Sequence, residues 1–256
     1  MFDDLQGKTA LITGGARGQG ASHARLLAAS GVKVVLTDLR DELGEQVAKD
    51  IQNNGGDALY VHSDVRSTQE WQEAVESTLS KYGALNILVN NAGIVQHEPV
   101  DLCSDEAWDD VVATNLTGVF KGMRAVIPAM RAAGGGAIVN ISSAFGVTGT
   151  YGYAGYVATK FGVCGITKSA ALTYAAENIR VNCIAPGNVD SPMLDEEKVL
   201  MADNPYFDFD EWLTKQPIPR LAQPEEISNL VKYLVSDASS YCTGAVWSLD
   251  GGMTAS

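Results

Sequence analysis

Seven short apolar runs punctuate the chain: KTALITG (8–14), VKVVLTD (32–38), ALYVHSD (58–64), LNILVNNAG (85–93), GAIVNISS (136–143), IRVNCIAPG (179–187) and AVWSLDGG (245–252). Runs this short, closed by glycine, aspartate or serine, predict strands. Longer stretches between them carry helical patterns. One runs from Ala21 to Ser30, and another from Ser104 to Ala133 with Asp105 and Glu106 near its start. A third begins near Ala154, and a fourth has Pro224 at its first position, followed by Glu225 and Glu226. Proline and acids suit the first turn of a helix, where the amides are unpaired and the dipole is positive. Apolar strands joined by helices predict an α/β fold: a doubly wound parallel sheet of about seven strands, with helices on both faces. No internal repeat or low-complexity linker interrupts the pattern, so residues 1–256 are expected to form a single domain. Residues 190–218 break the alternation; they hold Pro192, Pro205 and Pro217 and an excess of acids. A long excursion after the C-terminal end of a strand predicts a lid over a site.

TGGARGQG (13–20) follows the first strand and opens the first helix. Gly14, Gly18 and Gly20 permit close backbone approach, and amides at a helix N-terminus stabilise a pyrophosphate. In this strand–turn–helix setting the loop predicts a Rossmann-like domain that binds NAD or NADP. Its spacing, G-x-x-x-G-x-G, differs from the common G-x-G-x-x-G fingerprint. Asp38 ends the second strand, 24 residues after Gly14. A carboxylate there accepts from both ribose hydroxyls of NAD and repels the 2′-phosphate of NADP. One like-charge pair at ~4 Å costs about 4 kcal/mol at an effective dielectric of about 20. Arg17 and Arg40 pull the other way. The acid acts directly at the ribose, so the expected cofactor is NAD rather than NADP.

YGYAGYVATK (151–160) offers three tyrosines and one lysine. If a helix begins near Ala154, Tyr156 and Lys160 stand one turn apart on one face. Tyr153 lies two turns from the lysine, roughly 10 Å along the axis, and Tyr151 precedes the helix. An ammonium one turn away favours phenolate and lowers the Tyr156 pKa, as a general acid or base requires.

These motifs, in this order, resemble the short-chain dehydrogenase/reductase family from Lys8 to Gly252. The glycine loop has the family's spacing, NNAG (90–93) is its marker after the fourth strand, and Tyr156 with Lys160 matches its Y-x-x-x-K pair. The resemblance implies a catalytic set of Asn115, Ser143, Tyr156 and Lys160. Ser143, 13 residues before Tyr156, would hold the substrate oxygen. Asn115 would hold a water that links Lys160 to a proton relay. For the cofactor it implies Gly14, Arg17, Gly18, Gln19, Gly20, Asp38, Leu39, Asp64, Val65, Asn91, Ala92, Gly93, Tyr156, Lys160, Pro186, Gly187, Val189 and Ser191. Asp64 and Val65 would lie at the adenine, Ala92 and Gly93 would leave room for ribose, and Val189 and Ser191 would meet the nicotinamide amide. Asn90 is expected to be structural.

Two positions depart from the family pattern: Gln19 stands where an aliphatic residue is usual, and Ser191 replaces threonine in PGNVDS. A basic residue at the position of Arg17 often accompanies NADP in this family. The general likeness is to NAD-dependent hydroxysteroid and secondary-alcohol dehydrogenases. It implies hydride transfer between NAD(H) and a hydrophobic secondary alcohol or ketone, such as a hydroxysteroid or a cyclic or aromatic alcohol. Three alternatives stand beside it. One is a 3-oxoacyl carrier-protein reductase, which the acidic segment would disfavour by repelling an acidic carrier. Another is a carveol-dehydrogenase-like enzyme with tightly held NAD, suggested by GQGASHA (18–24), although extra residues after the second strand are missing. The third is a dinucleotide-sensing protein, which would tend to lose the tyrosine or lysine. The resemblance also implies a homotetramer, with small residues such as Ala170 and Ala171 on pairing helices.

The substrate pocket is expected from Gln96, Ser143, Phe145, Tyr153, Tyr156, Asn188, Met193 and Leu194, with Met201, Tyr206, Phe207 and Trp212 from the lid. Much of it is apolar, which suits a hydrophobic alcohol or ketone. Composition narrows the setting. At 46% hydrophobic and 19% charged residues the chain reads as soluble, and its net charge of −13 argues against nucleic acid or an anionic membrane as partner. No apolar run approaches the ~18 residues of a membrane helix. The acidic start, MFDDLQGK, is not a signal peptide. Cys103, Cys164, Cys183 and Cys242 are scattered without a CxxC pair, so neither a metal site nor a disulfide framework is expected, and the cytoplasm is the expected location.

Overall fold

Each of the seven apolar runs forms a strand, and the strands join one sheet because they are apolar on both faces. In the computed structural model, which describes residues 3–201 and 208–255, these are β1 (Thr9–Thr13), β2 (Lys33–Asp38), β3 (Asp57–His62), β4 (Ile87–Asn90), β5 (Gly136–Ile141), β6 (Ile179–Pro186) and β7 (Val246–Leu249). All neighbours pair in parallel, in the order β3-β2-β1-β4-β5-β6-β7. The α/β doubly wound sheet is therefore the fold of this chain. Every residue of β1 and of β4 is buried, as a parallel sheet covered on both faces requires.

Helices α1 (Gly18–Ala29), α2 (Asp41–Asn53), α3 (Thr68–Tyr82), α4 (Asp105–Val112), α5 (Gly118–Ala132), α6 (Ala154–Tyr174), α7 (Pro192–Met201), α8 (Phe209–Thr214) and α9 (Pro224–Val235) complete the described elements. One apolar cluster packs α1, α2 and α9 on one face of the sheet through Leu27, Val47, Ile51, Ile227 and Val231. A second packs α3, α5 and α6 on the other through Trp71, Met123, Val126, Met130 and Val163. Local signals fix the ends. The Ser67 side chain accepts from the Glu70 amide to start α3, and Gly83, with φ +77°, ends it. Gln223 and Glu226 form a reciprocal capping box at α9, with Pro224 in the first turn.

One expectation needs correction. The continuous helix from Ser104 to Ala133 is broken by a turn of π-helix at Ala113–Thr117. A wider turn of this kind inserts one residue and re-aims the helix beyond it, and Asn115 sits in its middle. The excursion at 190–218 contains α7 and α8. Tyr206 and Phe207 lie outside the described residues. Strand order reverses direction between β1 and β4, and the crevice at the carboxyl ends of these strands is where such folds bind ligands.

Candidate active site

The cleft occupies that crevice and measures about 740 Å³. Its dinucleotide end is built mainly from backbone. Gly14 and Gly18 adopt positive φ values of 64° and 53°, which cost a side-chain-bearing residue strain. A Cβ on Gly20 would lie 2.0 Å from the Gly14 carbonyl oxygen. Gly20 therefore lets the loop fold onto α1 rather than lining the cleft itself. Thr13 Oγ1 accepts from the Asn91 and Ala92 amides, each at 3.0 Å. Asn91 Nδ2 donates to the Thr13 and Gly14 carbonyls. These bonds lock the glycine loop to the end of β4, so the Asn91 side chain holds the loop.

Asp38 is buried, and its Oδ2 accepts from the Ala16 amide at 3.1 Å. Its Oδ1 accepts from the Arg40 amide and from Arg40 Nη1 at 3.3 Å. Leu39 is half exposed beside it. Asp64 is gripped by Arg66 through Nε and Nη2 at 2.9 and 2.8 Å, which holds its carboxyl below the usual range. The Val65 carbonyl is taken by Trp71 Nε1. Arg17 reaches across the cleft to Glu196 on α7, with Nη1 2.6 Å from Oε1. Asn90 is structural as expected, donating to Asn140 in a buried polar chain that continues to Thr167.

A Cβ on Gly14 would meet Ala92 Cα at 2.9 Å, so glycine there lets the loop pack on the end of β4. The fit to a dinucleotide rests on two side-chain atoms. Gln19 Oε1 and Asn188 Nδ2 are buried with no partner among the described residues, and both residues line the cleft. An orphaned acceptor and an orphaned donor suit a carboxamide, which carries one of each. Pro186, Gly187, Val189 and Ser191 line the same wall.

At the other end, Ser143 and Tyr156 line the cleft together, with the Ser143 hydroxyl close enough to favour the phenolate. Ser143 Oγ also accepts from the Phe145 amide at 3.1 Å. Lys160 is buried, donates to the Ile141 carbonyl at 3.1 Å, and sits 5.4 Å from the Tyr156 ring centre. Burial brings its pKa down to about 8. The expected lowering of the Tyr156 phenol is not what the chain itself produces. Burial pushes it up, the charge of Glu197 adds to this, and the Ser143 hydrogen bond opposes both. Desolvation of the phenolate is the largest of these effects.

The Asn115 side chain is fully engaged. Its Oδ1 accepts from the Ile94 amide and its Nδ2 donates to the Ile94 carbonyl, both at 2.9 Å. The side chain pins the segment after β4, so a water held by Asn115 would have to use its backbone. Gln96 is turned away from the cleft: Oε1 accepts from the Gly155 amide at the start of α6, and Nε2 faces Glu98 and Cys103. Tyr153 is nearly fully buried behind the lining, packed on Phe145 and Tyr156. Its hydroxyl donates to Glu197 Oε1 at 2.5 Å. Ser143, Phe145, Tyr156, Asn188, Met193 and Leu194 do line the cleft together.

Glu197 escapes the sequence reading, where it is one acid among many in an acidic segment. The signal that could find it is its i, i+3 spacing from Leu194, which puts both on one face of α7. Burial raises the Glu197 pKa, and the Tyr153 hydroxyl partly offsets this.

Sequence comparison agrees with this geometry. Residues 8–199 match the family described as short chain dehydrogenase. The 3-alpha-(or 20-beta)-hydroxysteroid dehydrogenase of Mycobacterium tuberculosis is 45% identical, across 100% of this chain and 92% of that protein. The trans-4-hydroxycyclohexanecarboxylate dehydrogenase of Sinomonas cyclohexanicum is 42% identical, across 100% and 96%. The cyclohexanol dehydrogenase of an Acinetobacter species is 40% identical, across 99% and 98%. Among solved structures, levodione reductase superposes with a TM-score of 0.94 at 34% identity, covering 98% of this chain and 99% of that one. A variant of actinorhodin polyketide ketoreductase with NADPH gives 0.93 at 35% identity, covering 96% and 97%. The chain belongs to the short-chain dehydrogenase/reductase family, whose members are oxidoreductases that use nicotinamide dinucleotides.

Proposed function

We propose that the chain is an NAD-dependent dehydrogenase of hydrophobic secondary alcohols, with ring alcohols and hydroxysteroids as its substrate class. The observation that carries this reading is the meeting of Ser143, Tyr156 and Lys160 at one end of a cleft whose other end is a glycine cradle. The bound nicotinamide would supply the hydride acceptor and a positive charge. Ser143 holds the substrate oxygen against Tyr156. The Tyr156 oxygen takes the alcohol proton in oxidation and returns it in reduction, a role worth about 10²–10⁴ in rate. Lys160 bears on the phenol from the floor of the cleft, and Asn115 fixes the Ile94 backbone beside it.

Asp38 supports NAD over NADP. Its carboxylate is already fixed by the Ala16 and Arg40 amides, so it cannot swing away from a 2′-phosphate. Arg17 and Arg40, the two groups that could receive that phosphate, are paired with Glu196 and Asp38. Met193 and Leu194 from α7 and Phe145 give the substrate end its apolar wall. The relatives named for hydroxysteroids and cyclohexanol support the same substrate class. We further read the enzyme as a cytoplasmic homotetramer. Apolar side chains exposed on α5 and α6, Phe120, Phe161 and Leu172, support association, and among the described residues no helix is long and apolar enough to cross a membrane.

The test is NADH formation from a panel of cyclic alcohols and hydroxysteroids, with NAD and NADP in parallel. Turnover of ring alcohols at least tenfold better with NAD is expected. Binding of NAD in calorimetry without turnover of any alcohol would instead mark a dinucleotide-sensing protein.

A further inference from the structure

The substrate end of the cleft contains a half-buried acid that the proposed proton transfer does not use. Glu197 lines the cleft from α7, while Tyr153 stands behind the lining and donates to its Oε1. Met201 closes the other side, with its sulfur 2.9 Å from the Tyr153 hydroxyl. Among the described residues, no cation forms an ion pair with the carboxyl. Among the described residues, the cations that line the cleft are Arg17, Arg40, Arg66 and Lys160. The first three belong to the dinucleotide end and are paired with Glu196, Asp38 and Asp64. Lys160 is engaged by the Ile141 carbonyl. Lys198, next to Glu197 in sequence, lies over the Phe209 ring instead, 4.6 Å from its centre.

A half-buried carboxyl with no counter-charge is partly desolvated, and the Tyr153 hydrogen bond offsets this by favouring the ionised form. A second carboxylate brought into the same apolar space would face this charge at low dielectric, or force Glu197 to take up a proton. A neutral ring alcohol meets neither penalty, and a hydroxyl on its far side could donate to the free Glu197 oxygen.

We propose that Glu197, held in place by Tyr153, is the specificity determinant of the substrate subsite, selecting uncharged ring alcohols and excluding those that carry a carboxylate. The inference rests on reading the chain as a ring-alcohol dehydrogenase. It separates this chain from its relative named for trans-4-hydroxycyclohexanecarboxylate, despite 42% identity over the full chain.

The test compares cyclohexanol with trans-4-hydroxycyclohexanecarboxylate as substrates under NAD, and uses cyclohexanecarboxylate as a competitive inhibitor of cyclohexanol oxidation. For the natural chain, kcat/KM should be about a hundredfold lower for the carboxylate, with weak inhibition. Glu197→Gln keeps the shape and removes the charge. It should narrow the ratio and tighten the inhibition constant, each by about tenfold or more. Tyr153→Phe, which frees Glu197 without neutralising it, should narrow the ratio less. Equal use of both substrates by the natural chain, or an unchanged ratio in Glu197→Gln, overturns the inference and leaves the dehydrogenase reading standing. Failure of the natural chain to oxidise any ring alcohol overturns the reading beneath it.

Discussion

The two ends of the cleft are built by different means. The dinucleotide end is made of backbone: positive-φ glycines, amides donated to Asp38, and carbonyls taken by Asn91. Its charges come in pairs, Arg40 with Asp38 and Arg66 with Asp64. The substrate end is made of side chains, with Phe145, Met193 and Leu194 for shape and one unneutralised acid, Glu197. A site built from backbone constrains which residues can stand there at all. A site built from side chains constrains only volume and charge, so its specificity can change without disturbing the fold.

The sharpest way to break this contrast is at Gly20. Gly20→Ala drives a Cβ to within 2.0 Å of the Gly14 carbonyl and 2.6 Å of Asn91 Nδ2, so the loop must move. Dinucleotide affinity in calorimetry should fall about a hundredfold. An unchanged affinity would mean that backbone does not define that end. Next, Asp38→Asn keeps the shape at the ribose and removes the charge. The ratio of kcat/KM for NAD over NADP should fall by about tenfold or more, and a ratio that holds would remove Asp38 as the discriminator.

Two buried bases, one in the core between α1 and α9 and one in the cleft, act on stability at opposite ends of the pH scale. His23 on α1 bonds Ser228 through Nδ1, and burial lowers its pKa from 6.5 to about 3. The unfolded chain takes the proton first, so stability present at pH 7 is lost as pH falls from 6.5 toward about 3. The loss is at most about 5 kcal/mol. Denaturant titrations of His23→Gln against the natural chain should show a shallower acid slope. Lys160 is held uncharged more readily than in the unfolded chain, its pKa lowered from 10.5 to about 8. Its charged form costs stability below pH 8, and the cost disappears as pH rises to 10.5. Lys160→Met should therefore stabilise the protein near pH 7 by at most about 3 kcal/mol, with the gain vanishing in alkali, while activity is lost. Destabilisation at pH 7 would show that the bond to the Ile141 carbonyl outweighs desolvation.

The same contrast explains what the sequence revealed. The glycine loop, Asp38 and NNAG were legible because backbone geometry admits few residue types there, and the seven strands because a sheet buried on both faces needs continuous apolar runs. Helix spacing put Tyr156 and Lys160 one turn apart, and the family resemblance supplied their role. The site's electrostatics were not. The rise of the Tyr156 phenol comes from burial and from the charge of Glu197, far away in sequence and supplied by α7. The π-turn around Asn115 left no mark in the helical pattern, because its residues suit an ordinary helix equally well. Gln96 looked like a pocket wall from its place after NNAG, yet it caps α6. Glu197 was hidden because an acid on an amphipathic helix reads as solvated until the docking of α7 is known.

The central claim is that the Tyr156 oxygen carries the substrate proton while NAD(H) carries the hydride. Tyr156→Phe removes only that oxygen. The direct measurement is NADH formation from cyclohexanol by this variant, with NAD binding confirmed by calorimetry and folding by its thermal transition. The account predicts intact NAD binding with kcat reduced by at least about 10². A kcat within a few-fold of the natural chain would contradict it.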